Sequence, residues 1–225
     1  MTRILKRNHI IMKALFISLF ALLPVISSQG STTINQTWSV STAIPDNDDI
    51  GVGNTQSISA AGITAIESVS VDLAFTGGWN GDLYVYLVHD GAISVLLNRP
   101  GRSLADPDGA ASSGMTINLS DVAATDVHAA IPMNGGNVTG SFQPDGRTTD
   151  PLAVLATDAR PAMLSSFIGL DANGSWTLFV ADQASGEVST LQSWSLSITG
   201  VPEPSAALLS ALAVIGIAFT RRRGI

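Results

Sequence analysis

Aspartates in one short loop have the type and spacing that could hold a metal ion. The segment IPDNDDIG places Asp46, Asn47, Asp48 and Asp49 next to one another, ahead of a glycine. Hard cations such as calcium prefer several carboxylate and carbonyl oxygens of this kind. Aspartates in loops also make turns through hydrogen bonds to nearby backbone amides. The residues alone leave both interpretations open, a calcium site and ordinary turn chemistry.

Histidines are too few to favour hydrolytic catalysis. The body of the chain offers only His89 and His128 as bases, whereas a Ser-His-Asp triad requires a nucleophile, a base and an orienting carboxylate. No Gly-x-Ser-x-Gly turn accompanies either histidine. An Asp-Gly turn signal follows His89, so we expect solvated turn or loop histidines. We therefore predict that the chain is not an enzyme.

Charge and cysteine content exclude several classes of partner and site. The chain carries 18 acidic and 11 basic residues, and most of the basic ones lie near its two ends. The body keeps only Arg99, Arg102, Arg147 and Arg160, so its surface is expected to be strongly acidic. Such a surface disfavours nucleic acid and anionic lipid as partners. The absence of cysteine excludes disulfides and thiolate metal sites.

Aromatic residues raise the possibility of carbohydrate binding, because sugars stack on aromatic faces. Trp79 lies in a Gly-rich loop, where it would either be exposed for a sugar or cover the core. Trp176 and Trp194 lie in strongly alternating runs and are predicted to be core residues. Only Trp79 is therefore kept as a candidate carbohydrate-binding residue.

The elements that position these residues are predicted to be β-strands. Alternating apolar residues recur in VSVDLAF, DLYVYLV, AISVLLN, WTLFVAD and WSLSI, with turn residues between the runs. The Asp90-Gly91 pair between the second and third runs is a strong hairpin signal. No helical periodicity interrupts the body. The pattern predicts an all-β antiparallel sandwich or barrel with one core.

Both ends of the chain read as targeting segments. A cationic stretch followed by ALFISLFALLPVI is typical of a secretory signal peptide, which we place at residues 1–30. At the other end, residues 206–220 form an apolar run that is just long enough for a short transmembrane helix. Three arginines follow this run and would stay on the cytoplasmic side, with the body exported.

The C-terminal segment, residues 201–225, resembles the PEP-CTERM sorting signal. A Pro-Glu-Pro motif, a short apolar helix and an arginine cluster follow one another in the order that the signal requires. The resemblance implies processing by an exosortase and a bacterial source that makes exopolysaccharide. The residues that carry the match are Val201, Pro202, Glu203, Pro204, Arg221, Arg222 and Arg223.

The body, residues 31–200, is similar to the P/Homo B domain of proprotein convertases. The resemblance rests on IPDND, GDLYVYLVHDG, VLLNRPG and the stretch GSWTLFVADQASGEVSTLQSWSLSITG. It implies a jelly-roll sandwich of the galactose-binding-like kind. The resemblance also implies calcium near a sheet edge at Asp46, Asp82 and Asp182, residues that could equally cap strands or bond loop amides. In that family the domain stabilises a subtilisin-like protease.

These observations lead to one expected function and two alternatives. We expect an exported, non-enzymatic surface or extracellular-matrix protein, bound first to the membrane by its C-terminal helix. Its partners would be exopolysaccharide or another exported protein. The alternatives are an accessory module of a serine endopeptidase and a carbohydrate-binding module.

Overall fold

A computed structural model describes residues 30–59 and 61–202 of the protein. Nine strands account for half of these residues, with one short helix, α1, at Val127–Ala130 and 3-10 turns at Asn80–Asp82 and Leu164–Phe167. The strands are β1 (Thr32–Ala43), β2 (Asp48–Ile58), β3 (Ile63–Gly77), β4 (Leu83–His89), β5 (Ala92–Asn98), β6 (Met115–Ser120), β7 (Val138–Phe142), β8 (Gly174–Asp182) and β9 (Ser189–Pro202).

The strands form two sheets. One has five strands in the order β1-β9-β3-β6-β7, and the other has four in the order β2-β8-β4-β5. Neighbouring strands run antiparallel except for β6 and β7, which are parallel. The sequence predicted a wholly antiparallel fold, and this one pair departs from it. Strands β8 and β9 are close together in sequence. However, β8 is an interior strand of the four-stranded sheet and β9 is an interior strand of the five-stranded sheet.

A single buried cluster joins the two sheets. Strands β3 and β9 contribute their inward-facing apolar residues from one side, and β4 and β8 contribute theirs from the other. Trp176 and Trp194 are among the largest fully buried side chains, as their alternating runs predicted. Trp38 lies partly buried and packs on Trp194, with 4.4 Å between ring centroids. The body is therefore a β-sandwich with one core.

The predicted hairpin is present between β4 and β5. His89 pairs with Ala92 across a two-residue connection. Asp90 and Gly91 both have positive φ angles, 45° and 79°, as a type I′ turn requires. The Asp-Gly signal therefore fixes the register of these two strands.

The targeting segments fall mostly outside the described residues. The signal peptide, the predicted transmembrane helix and residues Glu203, Pro204, Arg221, Arg222 and Arg223 all do so. Val201 and Pro202 are the last residues of β9, paired with Ala65 and Ile63 of β3. Among the residues that the structure describes, no helix is long and apolar enough to cross a membrane.

Candidate functional site: a buried aspartate pair

Asp82 and Asp182 meet at one end of the four-stranded sheet. Asp82 closes the 3-10 turn that precedes β4, and Asp182 is the last residue of β8. The pairing of β4 with β8 sets Leu83 opposite Asp182, which brings the two aspartates together. Both are buried, with 1% and 0% of their surface exposed. Two carboxylates are thus removed from water at the same place.

Each of these aspartates has one oxygen without a hydrogen-bond partner. Asp182 Oδ1 accepts a hydrogen bond of 3.2 Å from the amide of Ala184, and Asp82 Oδ1 lies 3.5 Å from Arg99 Nη2. Within the described residues, Oδ2 of each aspartate is buried and receives no donor. Buried polar atoms in native proteins nearly always have a partner. The two orphaned carboxylate oxygens are therefore a place where a proton or a cation could bind.

The electrostatics of the pair lead to the same conclusion. Burial, followed by the negative charge of Asp182, raises the pKa of Asp82 to about 7, although Arg99 works to lower it. Burial is also the main cause that raises the pKa of Asp182, and the carboxylate of Asp46 adds to it. The folded protein therefore disfavours the state in which both carboxyls are ionised without a neighbouring positive charge to balance them.

Arg99 compensates only part of this charge because its guanidinium is shared. Its Nε donates to the carbonyl of Gly81 at 2.9 Å, and its Nη2 donates to the carbonyl of Asp108 at 3.1 Å. The arginine is 4% exposed and holds the loop before β4 to the loop after β5. Its contact with Asp82, at 3.5 Å, is the longest of the three.

Asp46 and Asp48 are the other two predicted calcium ligands, and each accepts a hydrogen bond from a backbone amide. Asp46 Oδ1 accepts the amide of Gly186 at 2.9 Å, and its charge raises the pKa of both Asp82 and Asp182. Asp48 pairs with Asp182 in the β2–β8 ladder, but its Oδ1 accepts the amide of Ile50 at 2.9 Å. In residues 30–59 and 61–202, no three carboxylate or imidazole side chains form a group that could hold a metal.

Trp79 lies over the same end of the sandwich. A Cβ added to Gly186 would come within 2.6 Å of the Trp79 ring. The ring is therefore packed against the backbone of the loop between β8 and β9, yet 39% of the residue is exposed. Trp79 therefore packs on the loop between β8 and β9, whose Gly186 amide donates to Asp46. Part of the Trp79 side chain stays exposed to solvent.

The expectation of a solvated His89 is wrong. The residue is 2% exposed and is the last residue of β4, not part of the turn. Its ring stacks on Trp176 with 3.8 Å between centroids. Its two ring nitrogens contact the carbonyl oxygens of Ser175, at 3.0 Å, and Asp171, at 2.7 Å. His89 thus ties the loop before β8 to the hairpin.

His128 is also buried, which corrects the second histidine expectation. Its Nδ1 lies 2.9 Å from Asp145 Oδ2, and its Nε2 lies 3.0 Å from the carbonyl of Arg102. Burial works to lower the pKa of His128, but the hydrogen bond and charge of Asp145 outweigh it, so the pKa is raised. Arg147 Nη1 meets the same carboxylate at 3.1 Å. Sequence reasoning missed this network because its members meet only in the folded chain.

Neither histidine contacts a serine hydroxyl in the part of the chain that the structure describes. The ring nitrogens of His89 meet only backbone carbonyls. Those of His128 meet carbonyls and the Asp145 carboxylate. Both rings serve to hold loops against the sandwich.

Comparison with known proteins gives one family and a set of solved structures. A family model described as the proprotein convertase P-domain matches residues 154–198. No curated protein matches the chain. The fold is similar to that in the crystal structure of a serine protease of Aeromonas sobria, with 20% identity, a TM-score of 0.43, and coverage of 76% of this chain and 27% of the protease.

A second structure, the complex of the Aeromonas sobria serine protease with its chaperone, gives a similar result. The identity is 19% and the TM-score 0.44, and the aligned region covers 77% of this chain and 28% of that one. The chain thus spans about a quarter of the length of these proteases. Residues 154–198, which contain β8 and most of β9, match the proprotein convertase P-domain.

Proposed function

We propose that this chain is an exported, non-enzymatic module of the P-domain kind that associates with a separate subtilisin-like serine endopeptidase. The observation that carries the proposal is the match of residues 154–198 to the proprotein convertase P-domain. That segment supplies β8, a strand inside the four-stranded sheet, and ends within β9, a strand inside the five-stranded sheet. We assign the sandwich to the jelly-roll, galactose-binding-like class on the same grounds.

The role of such a module is to bind and stabilise, not to cut. Both histidines of the described body are committed to carbonyls or to Asp145. No nucleophilic serine stands beside either ring among residues 30–59 and 61–202. In this proposal the proteolytic chemistry comes from the associated protease and not from the described body.

Calcium belongs to this proposal as a ligand of the aspartate pair. Asp82 and Asp182 each offer a buried, unpartnered oxygen, and hard cations prefer such oxygens. Because the described residues provide no third carboxylate there, carbonyl oxygens or water would complete the set. The cation would supply the positive charge that Arg99 provides only in part, and would fix the ends of β4 and β8.

Export and sorting complete the proposal. The N-terminal segment would act as a signal peptide, and residues 201–225 as a PEP-CTERM tail that an exosortase processes. The body would then work in the cell envelope or extracellular matrix. There it would meet exopolysaccharide or another exported protein.

The test of the protease association is a stability measurement on the protease. A subtilisin-like protease from the same source is heated with and without the purified full chain, and its inactivation half-life is measured. We expect the chain to lengthen the half-life at least severalfold, and the chain alone to hydrolyse no peptide substrate. An unchanged half-life, or turnover by the chain that a serine-reactive inhibitor abolishes, would refute the proposal.

The exposed ring of Trp79 favours a second candidate function, carbohydrate binding at the same end of the sandwich. The residue is 39% exposed beside the loop that carries Gly186. We expect the chain to co-sediment with exopolysaccharide and the Trp79→Ala variant to lose this binding. Ile93→Ala, which removes an exposed apolar side chain from the far hairpin, is the matched control. Equal binding by the wild type and both variants would exclude Trp79 as the site.

A further inference from the structure

Exposed sheet edges are where one β protein can pair with another, because their amide and carbonyl groups lack a partner. This sandwich has four such edges, formed by β1 and β7 in one sheet and by β2 and β5 in the other. Natural proteins protect edges with short strands, prolines, bulges, charges or covering loops. The four edges of this protein differ sharply in that respect.

Three of the four edges are protected. Strand β7 is only five residues long and contains Gly140. The outer side of β5 is occupied by a later loop, since the amides of Asp145 and Gly146 bond to its carbonyls. Strand β2 is protected at its start by two aspartates and by a register irregularity between Asp48 and Val52, and its regular part, from Val52 to Ile58, is shorter than that of β1 and contains Gly53.

Strand β1 has none of these protections along most of its length. It spans 12 residues, TTINQTWSVSTA, with no charge, no proline and no glycine. It pairs with β9 in continuous register from Thr32 to Ser39, and its single irregularity comes after that. Within the described residues, no other segment hydrogen-bonds to its outer edge.

The lack of charge along this edge makes it a place where a second copy of the acidic chain can bind. The arginines of the body are drawn into internal contacts, as for Arg99 and Arg147, which are 4% and 2% exposed. The surface of the body is therefore nearly all negative, and two copies repel each other wherever carboxylates would meet. Strands β1 and β9 contain no charged residue, so this margin is where two copies can meet without repulsion.

We propose that two copies of this chain pair antiparallel through β1 and so join their five-stranded sheets into one sheet of ten strands. Side chains of β1 alternate, with Ile34 and Trp38 packed toward the core and Thr33 on the outer face, 2.7 Å from Thr199. Directly opposite residues of an antiparallel pair share a face. The two-fold axis must therefore set one residue of β1 directly opposite the same residue of the other copy. It cannot lie level with the peptide bond between two neighbouring residues.

An axis at Gln36 gives the best cross-strand pairs. It places Ile34 of one copy opposite Trp38 of the other, which covers the part of Trp38 that its own sandwich leaves exposed. One strand pair buries less than the roughly 1,200–2,000 Å² of a stable interface. The dimer is therefore reversible and forms with rising concentration. This inference does not depend on the association with a protease.

Cysteine crosslinking tests the pairing directly, because the chain contains no cysteine. In the full chain carrying Gln36→Cys, the two thiols would face each other across the axis, and mild oxidation should yield a disulfide dimer. Thr55→Cys is the matched control, an exposed residue on β2, the edge strand of the other sheet. We expect crosslinking at residue 36 to be at least tenfold faster than at residue 55. Equal rates would overturn the proposal.

Sedimentation equilibrium of the full chain provides the second measurement. Wild type should show concentration-dependent dimers, and Gln36→Lys, which sets two like charges together on the axis, should weaken association at least tenfold. Thr55→Lys should leave it unchanged, and urea unfolding should confirm that both variants are folded. A wild type that stays monomeric at the highest attainable concentration, or a Gln36→Lys variant that associates as well as wild type, would refute the dimer.

Discussion

The buried aspartate pair makes the stability of the calcium-free protein depend on pH in a defined direction. The pKa of Asp82 is raised to about 7 from an ordinary value of 3.8, mainly by burial and then by Asp182. The folded state therefore holds a proton that the unfolded chain has already released. Stability from this group is present at low pH and falls as the pH rises toward 7.

The size of the effect follows from the displacement of the pKa. A carboxyl that titrates near pH 7 instead of near pH 4 destabilises the fold by at most about 4 kcal/mol once it is ionised. Relaxation of the buried site around the ionised carboxylate reduces this, and we expect about 2 kcal/mol. The Asp82→Asn variant cannot ionise, so it isolates this contribution from all other titrating groups.

The assay is urea unfolding of wild type and Asp82→Asn in chelator at pH 5 and pH 8.5. At pH 5 the variant should already be slightly more stable than wild type, because the unfolded chain has released the proton that folded Asp82 still holds. At pH 8.5 the variant should be more stable than wild type by about 2 kcal/mol. Asp49→Asn, which changes an exposed carboxylate near the same end of the sheet, should show no such change between the two pH values.

Two results would contradict this reasoning. One is a free-energy difference between wild type and Asp82→Asn that stays constant from pH 5 to pH 8.5. The other is a variant that is less stable than wild type at pH 8.5 in chelator, since Asp82 would then be stabilised as a charged partner of Arg99. In either case ionisation of buried Asp82 would not destabilise the folded protein as we expect.

Three further predictions concern other parts of the molecule. Calcium should raise the melting temperature of wild type but not of Asp182→Asn, and saturation at about 100 times the dissociation constant should add about 2.7 kcal/mol; no calcium effect in wild type would exclude the site. Asp145→Asn should cost about 3–5 kcal/mol in urea unfolding, because it leaves buried His128 and Arg147 without their shared carboxylate; a loss below 1 kcal/mol would show that the network is dispensable. Gly186→Ala should displace Trp79, since the new Cβ would lie 2.6 Å from its ring, and should shift tryptophan fluorescence to longer wavelength; an unchanged spectrum would count against this packing.

The strands that carry alternating apolar residues could be predicted from the sequence, and the others could not. Runs such as DLYVYLV place one face in the core, and the structure shows them as strands. By contrast, β1 is rich in threonine and serine and β2 contains two aspartates and two glycines, so they have no strong apolar alternation to reveal them. They are edge strands, and each gains its conformation largely by pairing with a more apolar neighbour.

The candidate site was predictable only in part, for a related reason. The sequence singled out Asp82 and Asp182 individually, but their burial depends on the pairing of β4 with β8 across a long stretch of chain. His89 was misplaced because the Asp-Gly signal marks the turn itself and not the residue before it. The contact of His128 with Asp145 depends on a loop whose path the local sequence does not reveal.

The position of β9 inside the five-stranded sheet has a consequence for how the protein folds. β9 lies between β1 and β3 and bonds to both, and Thr33 of β1 reaches Thr199 across 166 residues of chain. Until β9 has emerged from the ribosome, β1 has no partner and β3 lacks one neighbour. Contacts this distant make folding slow. The sheet therefore cannot close before the body is complete, and the first strand stays without a partner until the last strand has been made.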